Sequence, residues 1–438
     1  MSLVRFALLA LAAAFGLSVP AAAELSRPEQ KMVAAVDAER DRTVAMLAKW
    51  VDQNSGSLNP AGVKAVGEML RAELEPLGFA VEWIDMKAAG RAGHIVARHK
   101  GNGRGKRMLL IGHLDTVFEP HSPFQKWVRR GELGEGPGAV DDKGGMAVMI
   151  AALRAMQAAG TLKEADITVV LTGDEEDVGE PVELARRDLV AAGKWADVAL
   201  DFEGLARLAG RDMATVARRS SNAWTVRATA QGGHSSGIFQ KDVGYGAIFE
   251  LARIVDSFRR ELPEDMLTYN VGLIAGGETA EMSADTIRMS ATGKTNIIAP
   301  VAIARGDLRA IDAAQIARTQ AKMRAIVAKS LPGAKAEIGF DSGGYPPMAP
   351  TAGNRALLVK LNAVNRDMGL PEMGELSPLE RGAADISFVA KDVEGGINGL
   401  GPDSRGDHAP GEAVEIPTIF LQAKRAAILM SRLARDRR

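Results

Sequence analysis

Short apolar runs alternate with longer amphipathic ones along most of this chain, and the two periods predict different elements. AVEWI (80–84), HIVARH (94–99), RMLLIG (107–112), ITVVL (167–171) and ADVALDF (196–202) have strand length, are mostly apolar, and several are rich in β-branched residues. Two helix-period stretches precede them from about residue 27. MAVMIAALRAMQAA (146–159) and PVELARRDLVAAG (181–193) are interleaved with them. Alternation of this kind predicts βαβ units: an α/β fold with a mainly parallel sheet and helices on both faces.

Near residue 216 the pattern changes. Trp224, Val226, Ala228 and Ala230 alternate with Thr225, Arg227 and Thr229, which predicts a strand with one covered face in an antiparallel sheet. The helix VGYGAIFELARIVDSF, two further strands and the helix AQIARTQAKMRAIVAK follow, and the segment closes at the Gly/Pro-rich DSGGYPPMAPT. The helices NRALLVKLNAVNRDMG and PTIFLQAKRAAILMSRLA then return to the first domain. The expected organisation is therefore a domain split into 24–215 and 344–438, with a smaller α+β domain, 216–343, inserted in it.

Before residue 24 the pattern is of another kind. Arg5, the apolar run FALLALAAAFGLSV and Ala21-Ala22-Ala23 have the order of an export signal, with cleavage expected after Ala23 and a periplasmic or secreted product. Fourteen apolar residues fall short of the ~20 that a spanning helix requires, so a membrane anchor is the weaker reading. Composition narrows the chemistry further. A formal charge of −1 lacks the basic excess of a nucleic-acid binder, and a chain without cysteine has no disulfides, thiolate metal sites or Cys nucleophile.

The chemistry-bearing residues gather just after strand-like runs. His113 and Asp115 follow RMLLIG, Asp141 and Asp142 precede a helix, and Glu175 and Glu176 follow ITVVL within the acid run Asp174–Asp177. Glu203 ends ALDFE, and GLGPDSRGDHAPGE brings His408 and Glu412 from far down the chain. An acid run by itself reads as a solvated loop. In open parallel sheets, however, the C-terminal ends of strands are where ligands bind. Imidazole and carboxylate without thiolate suit Zn, Mn or Co hydrolytic sites. On the H-x-D pair, His113 would bind a metal while Asp115, on the same strand face, accepts its other ring N–H. Asp141 is the natural bridge between two ions. His94, His99 and His121 read as ordinary polar positions, and Asp174 and Asp177 as solvent-facing or loop-shaping groups. GNGRGK (101–106) neither follows a strand nor opens a helix, so it is not a nucleotide site.

These residues stand in six motifs, GHLDTV, GPGAVDDKGG, TGDEEDVG, DFEG, GGHSSG and DHAPGE, in an order that resembles the co-catalytic zinc exopeptidase family of carboxypeptidase G, aminoacylase, peptidase T and succinyl-diaminopimelate desuccinylase. The resemblance implies two Zn2+ per chain, with Co2+ or Mn2+ as alternatives. His113 and Glu203 would bind one ion, Glu176 and His408 the other, with Asp141 bridging. Asp201, two residues before Glu203, is the weaker candidate for that ligand.

The resemblance also implies Glu175 as general base, Asp115 as the partner of His113, and a cis Asp141–Asp142 peptide. It makes the inserted domain a four-stranded, two-helix dimerisation or lid domain, from which His234 reaches a second copy to polarise the scissile carbonyl. Arg309 in GDLRA and Asn296 in TNIIAP would contact substrate. Asp385 stands where family members often carry Gly-Thr-Asp, but Ala384 replaces the threonine, and TIRMSATGK lengthens the stretch before Asn296.

The expected activity is hydrolysis of an amide bond in a small N-acyl amino acid or short peptide, with release of a C-terminal residue such as glutamate. An aminoacylase-type deacylase and a dipeptidase are the alternatives within the family. Outside it, a periplasmic solute-binding protein has similar size and α/β content, but needs neither Glu175 beside Glu176 nor the H-x-D pair.

Overall fold

A computed structural model describes residues 24–438, and the export signal expected over residues 1–23 lies outside them. Six strands, Ala80–Asp85, Gly93–His99, Met108–His113, Ile167–Thr172, Val198–Asp201 and Gly395–Asn398, form one sheet. Its order from one edge is 80–85, 93–99, 167–172, 108–113, 198–201 and 395–398. The first two strands run antiparallel to their neighbours, and the remaining pairings are parallel.

The central strands carry almost no polar side chains because both of their faces are covered. Met108 and Leu110 pack into a core with the helices Lys143–Ala159 and Ile416–Leu433, while Leu109 and Ile111 point into a second core with Leu189, Ile386 and Val389. The strand period of two thus divides one apolar run between two helical layers. Each such side chain removed from water contributes roughly 1.5–3 kcal/mol. The helix Lys143–Ala159 is buried over its first fourteen residues. Its start is pressed against the sheet: a Cβ on Gly145 would lie 2.0 Å from the carbonyl oxygen of Phe202, so only glycine fits there. That approach sets Asp141 and Asp142, just before the helix, at the sheet's C-terminal edge.

The second sheet is antiparallel throughout, in the order Thr268–Tyr269, Val301–Arg309, Asn222–Ala230, Ala334–Phe340. Leu273–Gly277 also pairs with Val301–Arg309, end to end with Thr268–Tyr269, so two short strands share one edge position of the four expected. Trp224, Val226 and Ala228 are buried among residues of the helices Gly246–Glu261 and Ala313–Val327, as the alternation requires. The long TIRMSATGK stretch belongs to a hairpin, Thr279–Met282 with Met289–Thr292, a feature the sequence reading left without a structure. Among the described residues no helix is long and apolar enough to cross a membrane.

Candidate functional site

His113 is the last residue of the central strand Met108–His113, Glu175 and Glu176 follow the neighbouring strand Ile167–Thr172, Glu203 follows Val198–Asp201, and Asp141 comes from the loop before the helix Lys143–Ala159. His113 Nε2 lies 2.8 Å from one carboxylate oxygen of Asp141, and His408 Nε2 lies 2.9 Å from the other. His408 is also 3.3 Å from Glu176. Its φ of 61° lies in the left-handed region, which costs a residue with a Cβ on the order of 1–3 kcal/mol and is retained where the surroundings impose it. The Asp141–Asp142 peptide is cis. Asp142 is buried, and its carboxylate accepts the His113 amide at 3.2 Å.

Asp115 does more than the sequence reading gave it. It lies beyond the strand end rather than on it, and the His113 Nδ1 is 3.1 Å from its carbonyl oxygen and 3.4 Å from its carboxylate. The carboxylate itself accepts the Ser57 hydroxyl at 2.5 Å and the amides of Glu175 and Glu176 at 3.0 and 3.1 Å. Asp115 therefore sets the backbone of both glutamates as well as the ring of His113.

The acid run is not a uniform surface. Asp174 is fully buried and pairs with Arg186 at 2.6 Å while accepting the Gly179 amide at 2.9 Å, which corrects the solvent-facing reading in favour of loop shaping. Asp177 is exposed and pairs with Arg91 at 2.7 Å. Burial, and after it the charge of Glu203, pushes the Glu175 carboxyl well above the usual range. Burial also lifts Glu176, to about 7. Acids in this state call for positive charge nearby.

The donor atoms suit a metal. His113, Asp141 and Glu176 offer ligand atoms within 4.8 Å of one another, and so do His113, Glu175 and Glu203. Glu176 Oε1 is buried without a hydrogen-bond partner, as a ligand oxygen awaiting a cation would be. Hydrogen bonds to Asp141 and Glu176 raise His408 to about 11. At His113, burial opposes the charged ring, but Asp115 and Asp141 outweigh it and hold the imidazole well above its ordinary value. Imidazole nitrogens and carboxylate oxygens in two adjoining clusters are the donor set of a zinc-type centre. Asp201 is not in either cluster; its carboxylate accepts the Asn398 amide at 2.7 Å.

Two residues of this centre escaped the sequence reading or were left without a role in it. Arg218 is buried and donates to Glu203 at 2.9 Å and to Asn398 at 2.8 Å. Glu412 accepts the amides of Gly138, Val140 and Asp141 at 3.1, 2.8 and 3.1 Å, fastening the loop that presents Asp141. Burial pushes its carboxyl up to about 7. Replacing Glu412 by alanine strands three buried amides, and metal affinity is expected to fall roughly 10- to 100-fold, as when groups orienting a ligand are lost. Competition with a chelator measures this.

The remaining candidates lie on the second sheet and its ribbon. His234 and Asn296 are brought together there: the strand Gly233–His234 pairs with Ile297–Ile298, and the Ser235 amide donates to the Asn296 carbonyl. Both side chains are exposed. His234 Nδ1 lies 2.8 Å from the Ser236 hydroxyl and 3.3 Å from the Ser236 amide nitrogen, so both of these contacts are on the Nδ1 side of the ring. Arg309 ends the strand Val301–Arg309 and pairs with Asp307 at 3.0 Å. Asp385 is buried, its oxygens taken by Thr172 at 2.6 Å and Arg186 at 2.7 Å, so it braces the acid run rather than facing a substrate. His94 bridges Gly173 and Ala185 from within the core, His99 meets the Ala165 carbonyl, and His121 is exposed.

A model of the peptidase family M20/M25/M40 matches residues 109–432. Carboxypeptidase G2 of Pseudomonas sp. (strain RS-16) is 29% identical over 403 residues, covering 90% of this chain and 89% of that protein. Among solved structures, the aminopeptidase PepT of Bacillus cereus superposes with a TM-score of 0.69 at 16% identity, over 90% of this chain and 99% of that one. A dinuclear metal binding peptidase of the M20 family from Bacillus subtilis superposes with a TM-score of 0.61 at 16% identity, over 90% and 98%.

Proposed function

Since the chain belongs to peptidase family M20/M25/M40 and is a metallohydrolase of amide or peptide bonds, we propose that it is a carboxypeptidase, releasing a C-terminal residue such as glutamate from a small N-acyl amino acid or short peptide. Family membership decides against a solute-binding protein. The observation that carries the reading is the convergence on Asp141, whose two oxygens each meet one imidazole beside a buried, unpartnered Glu176 oxygen.

In this reading His113, Asp141 and Glu203 hold one metal ion, and Glu176, Asp141 and His408 the other. When bound, zinc held by these residues would lower the pKa of a water and polarise the scissile carbonyl. Glu175 takes the proton of the attacking water and passes it to the departing amine nitrogen. Asp115 keeps His113 and the two glutamates in place while this occurs. His234 of a second copy would donate a ring proton to the developing oxyanion. Association through the second sheet is supported by the exposed apolar side chains of Phe239, Ile248, Phe249 and Ile274.

Substrate selection is read from Arg309. Burial, and then the positive charge of Arg309, depresses Arg219, while Asp307, which pairs with Arg309 at 3.0 Å, acts the other way. An arginine can hold a free carboxylate through two hydrogen bonds, the role read here for Arg309; Asn296 is the further substrate contact. A release assay over N-acyl amino acids and dipeptides tests the proposal. Arg309→Met is expected to raise KM for acyl-glutamates at least ten-fold with kcat little changed; an unchanged KM removes the carboxylate clamp and shifts the reading toward a deacylase or dipeptidase.

A further inference from the structure

Two segments of chain connect the sheet that holds the centre to the second sheet, and they pair with each other. Arg218 and Met348 exchange both backbone hydrogen bonds at 2.9 Å, and Ser221 and Tyr345 exchange theirs at 3.0 and 2.9 Å. Each segment hands one side chain to the centre. Arg218 donates to the Glu203 carboxylate at 2.9 Å, and the Tyr345 hydroxyl donates to the carbonyl oxygen of Glu175 at 2.8 Å.

The Tyr345 side chain is itself held. Its ring lies against Phe388, centroids 4.9 Å apart, and its oxygen accepts from Arg186 at 3.3 Å. Across the same residue, the Glu175 amide is held by Asp115 at 3.0 Å. Glu175 is thus gripped at its N–H by Asp115 and at its C=O by Tyr345. With both ends of the residue fixed, the direction of its Cα–Cβ bond is fixed too. A carboxylate at the end of that arm moves whenever the peptide turns, and a displacement of about 1 Å in a reacting group costs on the order of 10²-fold in rate.

We propose that Tyr345 is a positioning residue for Glu175, and that the paired connection 218–221 with 345–348 is the element that ties the second sheet to the base. This rests on Glu175 being the base. The paired connection gives the reaction a dependence on how the two sheets are joined, which the centre alone would not have.

Tyr345→Phe removes one oxygen and keeps the ring on Phe388. In the holoenzyme it is expected to lower kcat at least ten-fold, with KM within two-fold, zinc content unchanged and the melting temperature within a few degrees. Measured beside it, Glu175→Ala separates the two ideas. If Glu175→Ala is inactive and Tyr345→Phe turns over at the wild-type kcat, the positioning role is overturned. The same holds if the loss in Tyr345→Phe is restored by saturating zinc, because the hydroxyl then serves metal retention. If Glu175→Ala itself turns over normally, the reading of the base fails instead.

Discussion

Replacing Glu175 by alanine is expected to lower hydrolysis at least a thousand-fold while leaving the bound metal in place. The two parts of this result come from the two clusters of the centre. Glu176, one residue on, reaches Asp141 and His408, so its oxygens remain when Glu175 is cut back. Glu175 lies with His113 and Glu203, where burial and the Glu203 charge hold its proton tightly. A carboxyl in that position becomes a base only when neighbouring positive charge offsets both effects, which is the condition a loaded centre supplies. General base catalysis contributes roughly 10²–10⁴-fold, and losing the same group as acid toward the amine puts the expectation at the upper part of that range. Glu175→Gln keeps the shape and is expected to fall as far. Metal analysis and a release assay on the same sample decide the matter: near-wild-type turnover would remove Glu175 as base, and loss of bound metal would make it a ligand.

Part of this centre is legible because His113 ends one buried strand and Glu175, Glu176 and Glu203 follow two others. A run such as ITVVL is apolar on both faces only if helices cover both, and in such a sheet the strand ends are where polar groups can meet. That pattern places His113 and the glutamates at one sheet edge; the joining of Asp141 and His408 to them rests on the resemblance carried by the six motifs. What stayed hidden is the second layer of contacts. Asp174 sits in a run of four acids, which reads as solvated, and its partner Arg186 lies twelve residues on in a stretch that reads as the polar side of a helix. Arg218 looks like any basic residue in ARRSS until Glu203 comes within 2.9 Å of it. The missing threonine beside Asp385 gives no hint of its place in the ion network, which depends on residues 213 and 199 positions away. Pairings across such distances leave no local period to read.

That network is where the largest loss of stability is expected. Arg186 is 1 % exposed and donates to Asp174 at 2.6 Å and to Asp385 at 2.7 Å, and also to the Tyr345 oxygen and the Asp174 carbonyl. Its side chain thus joins the acid run, the connection between the sheets and the segment before Ile386. Arg186→Met keeps the apolar volume but leaves two buried carboxylates with no cation between them. Breaking a buried pair on one side costs on the order of 3–5 kcal/mol, a large share of the ~5–15 kcal/mol that holds a folded domain. A fall of this size in the free energy from urea unfolding is the expected outcome. Adding Asp174→Asn and Asp385→Asn is expected to recover more than half of the loss, since the penalty lies in the stranded charges and not in the missing attraction. A single variant that loses less than about 1 kcal/mol would show the network to be dispensable to the fold. A triple variant no better than the single would place the cost in packing around the guanidinium instead. Because Asp174 directly precedes Glu175, the single variant is also expected to lose activity before it unfolds, and the order of those two losses on a urea titration reports how closely the base depends on the charge behind it.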